Sequence, residues 1–165
     1  MTALRTIYFD TNIFITLREQ SGVAHDLLWD ILNTAKGRVL PISTSALTFS
    51  ELKVKPLQIG DLDLLQTYDE WSSSAPWMDI WPVTLPILDG AALLRATRTG
   101  LKLPDAIHLA TALHLRCSDF LTADKGFKDV LELRHPTKGA LDIVPLTILR
   151  PDEPTLTSLL QSLAA

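Results

Sequence analysis

Four carboxylates stand in this chain at places where an acid can do chemistry: Asp10, Glu51, Asp105 and Asp124. Asp10 ends the apolar run Leu4-Arg5-Thr6-Ile7-Tyr8-Phe9, and Asp124 follows the shorter run Phe120-Leu121-Thr122. Glu51 and Asp105 fall on helical stretches that come after a strand or a loop. Acids just beyond strand ends lie on the edge where open α/β sheets bind ligands. Each one alone also has a plain structural reading. An Asp after a strand commonly makes a turn or caps a helix. Glu51 reads as a solvated helix residue, and Asp105, directly after Pro104, complements the positive end of its helix. Asp124-Lys125-Gly126 reads as a turn. Asp10 as an aspartyl nucleophile would make the chain a phosphohydrolase. Such sites use a second Asp two residues later, and Asn12 occupies that position.

The elements that must position these acids follow from hydrophobic spacing. Leu4 to Phe9 is β-branched and aromatic and predicts a buried strand. Thr11 to Arg18 predicts a helix, and Leu27, Leu28, Ile31, Leu32 and Ala35 place a second over Val23 to Ala35. Arg38 to Ser43, with Val39, Leu40 and Ile42, predicts a strand. Thr44 or Ser45 then caps the helix that carries Leu47, Ser50, Glu51 and Leu52, and Pro56 ends or bends it. Asp61 to Trp71 is helical, and Ser72-Ser73-Ser74 with Pro76 marks a loop. Ile80 to Thr84 predicts a strand, and Ile87 to Thr99 a helix closed by Gly100. Pro104 suits the first turn of a helix reaching about Cys117. Phe120 to Thr122 is a short strand, Gly126 to Leu133 a short helix, Leu141 to Leu146 a last strand, and Leu156 to Leu163 a terminal helix. Strands and helices alternate throughout, which predicts an α/β three-layer sandwich with a mainly parallel central sheet.

At 165 residues the chain suits one domain. We read residues 1–150 as the working domain and 151–165 as a tail or short helix of it. The 47% hydrophobic content supports a sizeable core. There is no apolar run of the roughly 20 residues a membrane span needs, and Met1 to Asp10 lacks the pattern of a signal peptide. Cys117, the single cysteine, has no internal partner. These features lead us to expect a reducing, cytoplasmic setting. A net charge of −4 argues against a broad basic surface for nucleic acid, so any such contact must be local or helped by a metal ion.

Four short contexts occur in a fixed order: Phe9-Asp10-Thr11-Asn12, Ser50-Glu51-Leu52, Asp105-Ala106-Ile107-His108-Leu109-Ala110-Thr111-Ala112 and Thr122-Ala123-Asp124. In this the chain resembles the PIN-domain family, in particular the VapC-like toxin ribonucleases of toxin–antitoxin pairs. That family runs from a strand ending in D-T-N through a helical S-E and a D-A-x-x-x-A-T-A helix to a T-A-D after a short strand. The resemblance covers roughly residues 4 to 146.

The resemblance implies that Asp10, Glu51, Asp105 and Asp124 converge, hold Mg²⁺ or Mn²⁺, and cleave RNA phosphodiesters. Hard oxygen donors suit those cations. It further implies a cognate antitoxin and a homodimer, for which the aromatics from Trp71 to Trp81 and the terminal leucines are candidate contacts, although core packing is the better reading for at least two of Trp71, Trp77 and Trp81. Thr11, Asn12 and Thr122 are candidate supports for the ligands, while Asn12 and Thr122 read equally well as cap and turn residues. His108 lies one helical turn after Asp105, and a hydrogen-bonded structural role suits it better than catalysis. Lys53, Lys55, Lys125 and Lys128 read as solvated, the last two within reach of a phosphate. Two competing readings are an aspartate-dependent phosphohydrolase and a catalytically inactive PIN-like binding module. Four carboxylates brought together repel one another. On this reading Asp10→Asn stabilises the metal-free chain by on the order of 1 kcal/mol.

Overall fold

A computed structural model of the chain describes residues 5–36 and 42–165. Its centre is β1 (Ile7–Phe9), three residues with no exposed surface. Successive side chains on a strand point to opposite faces, so Ile7 and Phe9 enter one core and Tyr8 enters another. A strand buried on both faces needs apolar residues at every position, and Ile-Tyr-Phe provides them.

Around β1 stand β2 (Ile42–Ser45), β3 (Asp79–Trp81), β4 (Asp119–Leu121) and, last in this sheet, β7 (Thr147–Leu149). A separate two-strand hairpin is formed by β5 (Arg134–His135) and β6 (Gly139–Ala140). The five-stranded sheet has the order β3-β2-β1-β4-β7, and every pairing in it is parallel. The chain builds outward from β1 to β2 and β3, then returns to lay β4 on the other flank. The order therefore reverses between β1 and β4, the place where sheets of this kind open a crevice at their carboxyl ends.

Helices cover both faces. The first core takes α1 (Thr11–Glu19), α2 (Val23–Ala35), α3 (Ala46–Ile59), α4 (Leu62–Ser74) and α7 (Glu153–Ala164). The second takes α5 (Leu85–Thr97) and α6 (Leu103–His114). The α/β sandwich expected from alternation is present, and its central sheet is wholly parallel. Among the described residues no helix is long and apolar enough to cross a membrane.

Several local expectations change. Leu4 and the Arg38 to Pro41 part of the expected second strand lie outside the described residues. Pro56 neither ends nor breaks α3, although an interior proline costs a hydrogen bond. Its ring is buried beside Phe49 and Leu52, and the helix closes one turn later at Gly60 (φ 71°), whose N–H donates to the Pro56 carbonyl. The segment from Gly126 to Leu133 is not a helix. Its carbonyls are taken by arginines from elsewhere: Arg98 donates to the Lys128 and Asp129 oxygens, and Arg150 to that of Phe127. Leu141 to Leu146 is not a sheet strand either. Leu146 makes a single antiparallel bridge to Val130, and Thr147–Leu149 pairs with β4 instead.

Core packing, the better reading for at least two of the three tryptophans, holds for Trp77, which is buried, and for Trp71, which packs partly buried against the same core. Trp71 and Trp77 pack with Phe14, Trp29 and Tyr68, with Phe14–Trp71 ring centroids 6.1 Å apart and Trp71–Trp77 5.9 Å apart. Leu156, Leu159 and Leu163 of α7 are buried in the same cluster. The large apolar side chains left exposed lie elsewhere, among them Val54, Leu57, Ile59 and Leu62 at the turn between α3 and α4.

Candidate active site

Asp10 follows β1 directly, at the crevice between β1 and β4. Its backbone N–H donates to the Leu121 carbonyl of β4, and its carboxylate caps α1 by accepting from Thr11 N at 2.8 Å. The other oxygen, Oδ2, accepts from Asn12 Nδ2 at 3.0 Å and Thr122 Oγ1 at 2.7 Å. Asn12 Oδ1 accepts from Ala123 N, and Thr122 Oγ1 accepts from Asp124 N. Asn12 and Thr122 thus tie the D-T-N turn to the T-A-D turn across 110 residues of sequence. Turn and cap roles coexist with support of Asp10; the two readings are not alternatives.

Glu51 lies on α3, just past the carboxyl end of β2. Its Oε1 accepts from His108 Nε2 at 2.5 Å and from Thr11 Oγ1 at 2.8 Å. Burial works to raise this carboxyl, but the hydrogen bond and electrostatic attraction of His108, with the hydrogen bond from Thr11, outweigh it and hold the carboxyl below its ordinary range. His108 is buried on α6, one turn beyond Asp105, with Nε2 3.8 Å from Asp10 Oδ1.

Asp105 occupies the first turn of α6, with Pro104 beside it in a position that needs no N–H. Asp105 and Asp124 line one cleft of about 460 Å³, floored by Leu109 and Phe127, with Lys102 and Lys128 on its walls. Burial and the charges of Asp124, Asp10 and Glu51 raise the Asp105 carboxyl above its ordinary range. The other three acids are therefore all near enough to repel it. Among the described residues no three acidic, histidine or cysteine side chains stand close enough together to coordinate one ion in this arrangement. The donor set still fits a hard cation. It offers carboxylate oxygens from α3, α6 and the segments that follow β1 and β4, and positive charge relieves the repulsion felt at Asp105.

Neutralising an acid here acts differently at different positions. Asp10→Asn would set an amide nitrogen against the donors of Asn12 and Thr122, so the gain in stability expected from the sequence is reversed in sign. At Asp105 burial is the largest cost to the charge, and repulsion from Asp124, Asp10 and Glu51 adds to it. A carboxyl raised above its unfolded value binds its proton more tightly when folded. Stability is then fully present at low pH and is lost as pH rises through the folded value, leaving the charge a cost at neutral pH. Asp105→Asn is expected to raise the metal-free melting temperature at pH 7. The gain is a fraction of a kcal/mol after solvent screening, about a degree or two for a chain of this size. Thermal melts in EDTA measure it, and a lowered melting temperature would contradict the repulsion.

One residue of the site was not visible in the sequence. Arg150, at the end of β7, donates from its guanidinium to the carbonyls of Thr122, Asp124 and Phe127 and so clamps the loop bearing Asp124. Its only sequence signal is its place after an apolar run. Lys53 and Lys55 are paired with Asp69 and Glu19 and take no part in the site.

Comparison with known proteins agrees with this architecture. The family model described as PIN domain matches residues 7–133. A toxin–antitoxin complex from Klebsiella pneumoniae has a chain 24% identical, with TM-score 0.59, covering 90% of this chain and 99% of that one. VapBC2 from Rickettsia felis, solved with a DNA fragment from its promoter, matches at 16% identity and TM-score 0.59 over 88% of this chain and 98% of its own. FitAcB from Neisseria gonorrhoeae matches at 21% identity and TM-score 0.54 over 73% and 89%. At these identities the likeness is one of fold. No curated protein sequence matches the chain.

Proposed function

The chain belongs to the PIN domain family, and from that premise we propose that it is a Mg²⁺- or Mn²⁺-dependent endoribonuclease, the toxin of a toxin–antitoxin pair. PIN domains are generally nucleases. The observation that carries the reading is geometric: Asp105 and Asp124 line one cleft beside the Asp10 turn, and burial first, then the charges of Asp124, Asp10 and Glu51, raise the Asp105 carboxyl. In this reading Asp10 and Asp124, just after β1 and β4, and Glu51 and Asp105, on α3 and α6, act together at the carboxyl edge of the sheet, an arrangement a cation stabilises.

In this reading Asp10, Glu51, Asp105 and Asp124 hold the cation. When bound, it supplies an activated water and offsets charge on the phosphoryl oxygens. The chain's own residues do the rest. Asn12, Thr122 and Thr11 hold the carboxylates in place, and Arg150 keeps the Asp124 loop against β7. Lys102 and Lys128 give the cleft local positive charge for the RNA backbone. A local contact of this kind suits a chain of net charge −4. Residues 1–150 form the nuclease domain, and 151–165 belong to it because the leucines of α7 fill the same core. A cognate antitoxin, a homodimer and a cytoplasmic setting complete the proposal. The solved neighbours described as a toxin–antitoxin complex and as VapBC2 support the antitoxin.

The test is cleavage of RNA by the purified chain with Mg²⁺ or Mn²⁺, and with EDTA. Cleavage is expected to fall to background in EDTA and to return when the metal is restored. Cleavage that is unchanged in EDTA would overturn the metal mechanism, and turnover of small phosphate esters without RNA cleavage would favour a phosphohydrolase.

A further inference from the structure

Tyr8 is wholly buried in the second core, yet its hydroxyl reaches the site. Tyr8 Oη lies 2.6 Å from His108 Nδ1 and accepts from Ser45 N at 3.1 Å. The atoms leave little freedom in where the hydrogens go. A carboxylate only accepts, so His108 Nε2, 2.5 Å from Glu51 Oε1, carries a hydrogen. With one hydrogen on the ring, Nδ1 is then an acceptor and the Tyr8 hydroxyl donates to it. Burial makes ionisation of Tyr8 costly, which keeps that hydrogen on the phenol. The chain of donors runs from Ser45 N–H through Tyr8 and His108 to Glu51, and each member donates once. It starts at the carboxyl end of β2, passes through β1 and α6, and ends on α3.

Its end point is specific. Glu51 Oε1 takes two hydrogen bonds, from His108 and Thr11, whereas Oε2 takes none among the described residues. We propose that Tyr8 and His108 are positioning residues that turn Glu51 into a single-oxygen donor, with Oε1 held by protein and Oε2 alone available to a cation. The proposal rests on the nuclease reading above. One oxygen per carboxylate suits Mg²⁺ and Mn²⁺, which demand compact octahedral geometry. Ca²⁺ readily takes both oxygens of one carboxylate. Fixing Oε1 therefore also selects between cations.

Two measurements decide it. In the wild-type chain with ¹⁵N-labelled histidine, long-range ¹H–¹⁵N spectra at neutral pH are expected to show His108 protonated on Nε2 and bare on Nδ1. The opposite tautomer, or a doubly protonated ring, would overturn the relay. Separately, Mn²⁺ affinity is read by the electron paramagnetic resonance of free Mn²⁺, and Ca²⁺ affinity by calorimetry. His108→Leu is expected to lose about 10- to 100-fold in Mn²⁺ affinity, the usual cost of removing a partner behind a metal ligand, and less in Ca²⁺ affinity. His108→Gln, whose amide can still donate to Oε1, is expected to recover most of the loss. Tyr8→Phe, which leaves the imidazole in place, covers the case of a leucine variant that does not fold. It is expected to weaken Mn²⁺ binding and to mix the tautomers. Equal losses for both cations, or a glutamine variant no better than leucine, would make the pair merely structural. A wild-type chain that binds Mn²⁺ no better than His108→Leu, while still cleaving RNA, overturns the positioning role and leaves the nuclease reading standing. A wild-type chain that binds neither Mn²⁺ nor Mg²⁺ overturns the metal-dependent nuclease reading and this inference with it.

Discussion

Asp10→Asn is expected to bring RNA cleavage down by about a thousandfold or more, to background. The amide is a poorer ligand for a hard cation, and the metal contributes several kcal/mol of charge stabilisation to the reaction, each 1.36 kcal/mol being worth roughly tenfold in rate. The same change is expected to lower metal-free stability. Asp10 Oδ2 accepts from both Asn12 and Thr122, and an NH₂ group in its place leaves at least one of those donors unpaired, a cost of about 1–3 kcal/mol. The Oδ1 cap on Thr11 N survives, since an asparagine oxygen caps as well as an aspartate oxygen. Added Mg²⁺ should then stabilise the variant less than wild type, because binding to the folded state is what raises the melting temperature. Thermal melts of both proteins, each with EDTA and with Mg²⁺, read all of this. Equal Mg²⁺ gains in the two proteins would remove Asp10 from the ligand set.

The largest expected effect on stability lies away from the chemistry. Phe14 on α1 has no exposed surface and touches Phe9, Phe49, Trp71 and Trp77, with ring centroids 6.0 to 6.4 Å away. Phe14→Ala is expected to cost about 3–5 kcal/mol, through lost burial and the cavity left among rings that cannot close over it. Urea unfolding followed by tryptophan fluorescence measures it directly. Leu57→Ala is the control: Leu57 is 65% exposed, and truncating it is expected to change stability by no more than about 0.5 kcal/mol. A loss below about 1 kcal/mol for Phe14→Ala would mean that the aromatic cluster is not the core described above. It would also reopen Trp71 and Trp77 as surface residues.

Those tryptophans mark where reading along the chain runs out. Trp71, Trp77 and Trp81 flank a loop of serines and a proline, and in one dimension core packing suits at least two of them without showing which. Burial depends on what folds over a segment: α1 packs on Trp71 and Trp77, α2 on Trp71, and α6 on Trp81. The helix expected over Gly126 to Leu133 failed for a related reason. Its local propensity was adequate, but Arg98 and Arg150 take the segment's carbonyls, and such tertiary hydrogen bonds outweigh propensities of a few tenths of a kcal/mol per residue. Pro56 is the reverse case, where packing keeps a helix going past a residue that disfavours it.

The sequence by itself determined the family, the alternation of strands and helices, and the four acids with their order, because each of these is written in local spacing and short contiguous motifs. A buried parallel strand must be apolar at every position, and Ile7-Tyr8-Phe9 announces one without reference to any other part of the chain. Only the tertiary structure decided which partners hold those acids. Asn12 meets Thr122, His108 meets Glu51 and Tyr8 together, and Arg150 grips the Asp124 loop, across sequence separations of 26 to 110 residues. A hydrogen bond needs its two atoms within about 3 Å. That proximity is set by how the sheet orders its strands, which the residues along any one segment do not encode.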